Sequence, residues 1–293
     1  MRERIIERWR AEDSRFSASD KAFWEGIAPY WLRSGTPGEE KGKRAAAFAD
    51  YLRSHGLLLG DQTVLDIGCG KGQIAAEFAK TAGHVTGLDL SPLMCEAAKS
   101  LAAARELDNM DFIAGDFCSF RPGEAGLPEQ YDLVSACLVP EAETYAGFRR
   151  MASLSRRSCF LAIQTENRIP MFLEIAAQVI GDTAGEKRGK IIKLMMAFDL
   201  LCLEGLRPEV FFYEMRFLNR VPANELALQY FETVWPQHAF TEEERKSILR
   251  MLRDRADQDG ILTVEMNTVI GCLFWNVGQG QRQREVQGGK KHE

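Results

Sequence analysis

Apolar runs and their spacing divide the chain into alternating strand-like and helix-like stretches. Val64, Leu65 and Ile67 lead into Gly68-Cys69-Gly70-Lys71-Gly72, a buried strand entering a glycine-rich turn. Ile74 and Phe78 follow one helical turn apart, and Gly83 stands where a helix end favours a left-handed residue. Residues 84–90 (HVTGLDL), 110–114 (MDFIA), 131–137 (YDLVSAC) and 158–165 (SCFLAIQT) read as further strands, apolar enough to be covered on both faces. Helical stripes lie between them. Ala45, Phe48, Ala49 and Leu52 mark 39–55. Leu93, Ala97 and Leu101 follow Ser91-Pro92, a pair suited to an N-cap and a first helical residue. A helix over 141–154 completes the series. Strand alternating with helix predicts an α/β fold built on a doubly wound, mostly parallel sheet.

The pattern changes after the fifth strand. Phe172, Ile175, Ala176 and Val179 form one helical stripe, and Ile191, Leu194, Met195 and Phe198 another. These predict a helical insert over 168–207, either a substrate cap or an ordinary extra layer. Residues 210–218 alternate as a strand, and Leu226, Tyr230 and Val234 mark a helix after Pro222. Thr241 and Glu244 have the spacing of a capping box before another helix. Residues 261–277 end in an apolar run and read as the last strand. The ends of the chain differ from this body. Residues 1–37 carry Trp9, Phe16, Phe23, Trp24, Tyr30 and Trp31 among charges and predict a helical arm, with Tyr30 or Trp31 placed to close over a ligand. Residues 278–293 are dominated by glycine and charge and read as a disordered tail. The expected division is thus an arm at 1–37, a main domain at 38–277 and a tail.

Composition narrows the partners. The net charge of −5 makes no case for nucleic acid, and no apolar run is long enough to span a bilayer. Seven cysteines without a C-x-x-C pair exclude a zinc or disulfide framework and suit a reducing, cytoplasmic setting. No metal site is expected. Lys187, Arg188, Lys190 and Lys193 are the one basic group able to guide an anionic polymer, although such a group is more often a solvated helix start.

The glycine turn carries the chemistry. Gly68-x-Gly70-x-Gly72 puts Gln73 where a dinucleotide fingerprint has its third glycine, and Asp66 precedes the turn by two residues. A carboxylate there repels pyrophosphate and attracts a cationic ligand. Asp89, with Leu90 beside it, ends the second strand 23 positions after Asp66, the place where nucleotide-binding α/β folds accept ribose hydroxyls. Gly115-Asp116-Phe117 follows the third strand. Cys137, Leu138 and Glu141 follow the fourth, at the carboxyl edge where open α/β sheets bind ligands.

The series D-x-G-x-G-x-G, then Asp89, then Asp116, resembles class I S-adenosylmethionine-dependent methyltransferases over roughly residues 40–166. The resemblance implies a seven-stranded sheet whose last strand is antiparallel to its neighbours. It implies S-adenosylmethionine as cofactor and S-adenosylhomocysteine as product. The cofactor would be held by Asp66, Gly68, Cys69, Gly70, Gly72, Asp89, Leu90, Asp116, Phe117 and Cys137, with Asp116 taking the adenine amino group and Phe117 covering the ring. The chain departs from base-modifying relatives, since it has neither an N-P-P-Y-like box nor a Pro-Cys pair after the fourth strand. Those absences argue against flipped-base chemistry, and the helical insert and acidic net charge make a small molecule the acceptor expected, with a monomer or homodimer as the assembly. The alternatives are an RNA or protein methyltransferase and a non-catalytic binding module. Glu141, Glu166 and Tyr30 are the candidates by position for orienting or deprotonating an acceptor.

Overall fold

The computed structural model describes residues 1–13, 38–123, 127–182, 189–235 and 238–277. The expected tail, Tyr30, Trp31 and most of the arm lie outside them, as do Lys187 and Arg188. The elements are α1 (Arg2–Asp13), α2 (Gly38–Ser54), β1 (Thr63–Ile67), α3 (Gln73–Ala79), β2 (His84–Asp89), α4 (Pro92–Ala104), β3 (Met110–Ala114), β4 (Tyr131–Cys137), α5 (Tyr145–Ser153), β5 (Ser155–Arg168), α6 (Pro170–Val179), α7 (Gly189–Leu203), β6 (Glu209–Pro222), α8 (Glu225–Val234), α9 (Glu242–Arg253) and β7 (Ile261–Asn276). The seven strands form one sheet in the order β3-β2-β1-β4-β5-β7-β6. β3, β2, β1, β4 and β5 pair in parallel, and β7 runs antiparallel to both β5 and β6. The order reverses between β1 and β4, so a crevice opens at their carboxyl ends.

Each face of the sheet carries its own apolar layer. One layer contains Ala45, Phe48 and Leu52 of α2, Phe78 of α3, Phe172 and Ile175 of α6, Phe231 of α8 and Ile248 of α9. The other contains Trp9 of α1, Phe148 and Met151 of α5, and Leu194, Ala197 and Leu201 of α7. The two helices of the expected insert therefore separate to opposite faces: α6 buries Phe172, Ile175 and Ala176 of its expected stripe, whereas α7 buries Leu194, Met196, Ala197 and Leu201 and leaves Met195 of the expected stripe exposed. Lys193 lies on the buried side of α7. It is 3% exposed, and its Nζ contacts Asp13 Oδ1 of α1 at 2.9 Å. It is thus not placed to guide a polymer.

Several boundaries differ from the pattern-based reading. Residues 141–144 are a turn, and α5 begins at Tyr145 because the Thr144 hydroxyl accepts from the Gly147 N–H and caps it. β5, β6 and β7 are longer than their apolar runs. They extend past the parallel strands as an antiparallel ribbon that α6, α8 and α9 cover. The Thr241–Glu244 capping box starts α9 with both reciprocal bonds present.

Candidate active site

β1 ends in a turn that only glycine makes without strain. Gly68, Gly70 and Gly72 have φ of +64°, +53° and +75°. A Cβ at Gly68 would stand 2.4 Å from Val139 Cγ2, so the turn and the loop after β4 touch through the missing side chain. A Cβ at Gly72 would stand 2.9 Å from Ala98 Cβ, which sets α4 close against the turn. At Gly70 a Cβ would meet nothing within 4 Å, and the backbone lies open to the crevice.

Asp89, at the end of β2, braces this turn. Its two carboxylate oxygens accept from the Gly70 N–H at 2.8 Å and the Ser91 N–H at 2.9 Å. Burial raises its pKa, and the two backbone donors oppose that shift. Each oxygen keeps a lone pair for a ligand hydroxyl. Asp116, after β3, accepts from the Cys118 N–H at 2.8 Å, which fixes the turn that carries Phe117. Behind that turn stands Arg150 of α5. Its guanidinium donates to the Phe117 carbonyl at 2.7 Å and to the Phe120 carbonyl, and its Cζ lies 5.7 Å from the Phe117 ring centre.

These pieces enclose a cavity of about 250 Å³ at the carboxyl edge of the sheet. Its walls include Gly68, Gly70 and Lys71 from the turn, Asp89 and Leu90 from β2, Asp116 and Phe117, and Leu138 to Glu141 from the loop after β4. Leu138 is held at φ +60° in the left-handed region, where a non-glycine residue is uncommon, and its N–H donates to the Ala162 carbonyl of β5. Gly147 admits the next residues, because a Cβ there would stand 1.8 Å from the Glu141 carbonyl oxygen. Burial, followed by the charges of Asp116, Glu143 and Asp89, raises the pKa of Glu141 despite an opposing backbone hydrogen bond.

Of the residues expected to hold a ligand, Gly68, Gly70, Asp89, Leu90, Asp116 and Phe117 line this cavity, as does Glu141. Asp66, Cys69, Gly72 and Cys137 do not. Asp66 is 2% exposed and sits under the turn, facing the Ser135 hydroxyl and the Ala75 N–H. Ala75 is the third residue of α3, whose N-cap, Gly72, has no side chain. The Asp66 carboxyl therefore stands beneath the amino end of α3, close to a backbone N–H that Gly72 cannot cap. Burial pushes its pKa up to about 7 against the help of Ser135 and Ala75. Cys69 points beneath the turn, since a Cβ at Gly87 would stand 2.9 Å from its Sγ. Cys137 faces the α2 side of the sheet, where its thiol is pushed up to about 11 by burial. Glu166 is exposed at an irregularity in the β5–β7 pairing and lines no part of the crevice. Asn167 beside it accepts from the Thr268 hydroxyl at 3.3 Å. Arg150 and Gly147 shape the walls of the cavity, and the sequence pattern did not single them out. The Thr144-x-x-Gly147 cap was the one local sign of the second.

Residues 64–158 match the family model described as a methyltransferase domain. Curated relatives include a 23S rRNA (uracil(1939)-C(5))-methyltransferase from Alcanivorax borkumensis, 36% identical over 74 residues, or 25% of this chain and 17% of that protein. A ribosomal protein L11 methyltransferase from Clostridium botulinum is 34% identical over 82 residues, 28% of this chain and 24% of that protein. The chain thus spans about a quarter or less of the length of these relatives. Among solved structures, the magnesium protoporphyrin IX methyltransferase from Synechocystis with bound SAM has a TM-score of 0.47 at 15% identity, over 88% of this chain and 99% of that one. The match thus places a methyltransferase domain at residues 64–158, about a third of the chain.

The donor set suits S-adenosylmethionine. Among the described residues, the cavity presents three carboxylates, Asp89, Asp116 and Glu141, against one cation, Lys71. A pyrophosphate would meet net repulsion there, whereas a sulfonium with an ammonium group is attracted.

Proposed function

We propose that the protein transfers a methyl group from S-adenosylmethionine to a small-molecule acceptor and releases S-adenosylhomocysteine. The observation that carries this reading is the convergence of the Gly68–Gly70 backbone, Asp89 and Asp116 on one cavity at the switch point of the sheet. In the reading, Asp89 accepts the ribose hydroxyls. Asp116 accepts the adenine amino group, and Phe117 covers the ring. The bound cofactor supplies a methyl group already activated as a sulfonium substituent. The acceptor's lone pair forms the new bond to that carbon while the carbon–sulfur pair returns to sulfur. What the protein must add is alignment and exclusion of water. Glu141, on the wall contributed by the loop after β4, orients the acceptor and takes its proton. Its raised pKa makes it a stronger base than an exposed carboxylate.

Two of the relatives are named for RNA and protein acceptors, so a macromolecular substrate is the second reading. The acidic lining of the cavity and the burial of Lys193 favour the small molecule. Release of S-adenosylhomocysteine, measured against a panel of small nucleophiles and against ribosomal RNA and protein, separates the two. Turnover on the polymers alone would overturn the small-molecule reading. Glu141→Gln is expected to lower kcat by about 10²-fold or more with cofactor affinity within twofold of wild type. An unchanged kcat would remove Glu141 from the chemistry.

A further inference from the structure

α2 approaches the crevice from the sheet face opposite α5. Its direction follows from its ring contacts. Tyr51 packs on Phe274, with centroids 5.4 Å apart, and Phe48 packs on Phe160 at 5.4 Å and Phe211 at 6.2 Å. Phe48 also packs on Tyr213 at 5.5 Å, whose row with Ile270 and Gln164 lies farther toward the carboxyl edge than the Phe160–Phe274 row, on which the later His55 packs at 5.4 Å. The amino end of α2 is therefore directed toward the crevice. Arg44 lies about one helical turn before Phe48, on the same side of the helix and about 6 Å farther along its axis toward that edge.

The strand register shows what Arg44 meets. Cys137 pairs with Ala162, Ala162 with Cys272, and Cys272 with Phe211, so the four form one row across β4, β5, β7 and β6. Ile67 pairs with Ala136, which puts this row level with Gly68 and one residue before the cavity-lining Leu138. The positive charge of Arg44 acts on both Cys137 and Cys272. It opposes the effect of burial, which raises the two thiols. The Arg44 Nε is buried and has no hydrogen-bond partner, and the guanidinium pairs with no carboxylate among the described residues. Among other half-buried guanidinium groups, Arg150 is held by two carbonyls and Arg149 by Glu204 at 2.8 Å, and Arg53, whose Nε is likewise buried without a partner, pairs with Asp50 at 3.0 Å. A buried donor left without an acceptor carries a desolvation cost that a ligand oxygen can relieve.

We infer that Arg44 is the anion-binding group of the acceptor site and that the methyl acceptor is a small molecule bearing an oxyanion. The inference rests on the methyltransferase reading above. The acceptor's anionic group docks on the α2 side of the β4 end, while its nucleophile faces the cavity lined by Leu138 and Glu141. A guanidinium holds a carboxylate or phosphate through paired N–H donors, so one contact fixes both position and orientation. The acidic cavity then takes the cationic cofactor and Arg44 takes the anionic acceptor, and each site rejects the other's ligand.

The test observes the arginine side-chain Nε–H resonances of the full chain by NMR, with Arg44 assigned through its loss in Arg44→Lys. Benzoate, formate and inorganic phosphate are titrated with S-adenosylhomocysteine present, and benzamide serves as the neutral control. At least one oxyanion is expected to shift the Arg44 resonance saturably while benzamide does not. Binding of that probe, followed through neighbouring backbone resonances, is expected to weaken roughly tenfold in Arg44→Lys and to vanish in Arg44→Gln. Comparison of benzoate with phosphate identifies the class of oxyanion. An Arg44 resonance unmoved by all three anions, or moved equally by benzamide, would overturn the inference. Titration of S-adenosylhomocysteine alone into wild type and Arg44→Gln reads the cofactor site separately. Equal affinity in the two keeps the methyltransferase reading whatever the anions do, and its absence in both removes that reading.

Discussion

At the scale of residues, the three acids that announce the site in the sequence have different jobs. Asp89 and Asp116 reach the cavity, whereas Asp66 is buried beneath the turn at the amino end of α3. The pattern could not separate these roles, because β1 is buried on both faces and alternation does not say which face an acid serves. Arg44, Arg150 and Gly147 were illegible for a different reason. Each acts on a segment distant in sequence, and no local period reports such a contact. The sign of the Asp66 shift gives a pH prediction. The folded protein keeps this proton from about pH 4 to about pH 7, where the unfolded chain has already lost it. The contribution to stability is complete below the unfolded pKa and is lost as pH rises through about 7. Asp66→Asn, which cannot ionise, is expected to match wild type near pH 4. It should gain on wild type up to pH 8, by at most about 4 kcal/mol. Chemical denaturation across that range checks this, and a constant difference would show that Asp66 is not buried as a proton-holding acid.

Among the elements, the parallel strands were the most legible. β1 to β4 fall where the pattern places them; β1, β2 and β4 are covered on both faces, whereas β3, at the sheet's edge, is only partly buried. The outer ribbon was less so, since the ends of β5 and β6 alternate or turn polar where only one side is packed. The predicted helix at 141–154 lost its first turn to the loop that carries Glu141, and Thr144 explains why. α5 then takes on a task that its own pattern does not show. Through Arg150 it ties the Phe117 turn to the body of the protein. Arg150→Met keeps much of the side-chain volume and removes the donors to the Phe117 and Phe120 carbonyls. It is expected to weaken S-adenosylhomocysteine binding roughly tenfold, from about 1.4 kcal/mol of lost charged hydrogen bonding. Calorimetry on a variant with unchanged circular dichroism checks the effect, and an unchanged affinity would make the brace irrelevant to the adenine side.

Across the whole molecule, α1 closes one face of the sheet although it lies far from it in sequence. Trp9 donates from its ring N–H to the Glu143 carbonyl at 3.1 Å and packs on Phe148, with centroids 5.1 Å apart. Asp13 joins two helices, accepting from the Tyr145 N–H at the start of α5 and pairing with the buried Lys193 of α7. The aromatic and charged character of the first residues pointed to packing or a lid, and the described part, Arg2–Asp13, packs. Asp13→Ala leaves the Lys193 ammonium buried without that carboxylate, which is expected to cost about 3–5 kcal/mol. A thermal melt should show a large fall in Tm. A shift of only a degree or two would mean that the pair is more hydrated than its burial indicates.

The cofactor crevice remains the central claim, and isothermal titration of the full chain with S-adenosylmethionine and S-adenosylhomocysteine tests it most directly. The account predicts one site per chain for each, with affinity reduced at least tenfold in Asp89→Ala through loss of the ribose acceptor and of the Gly70 brace. Absence of binding by the folded wild type, or full affinity in the Asp89→Ala protein, would contradict it.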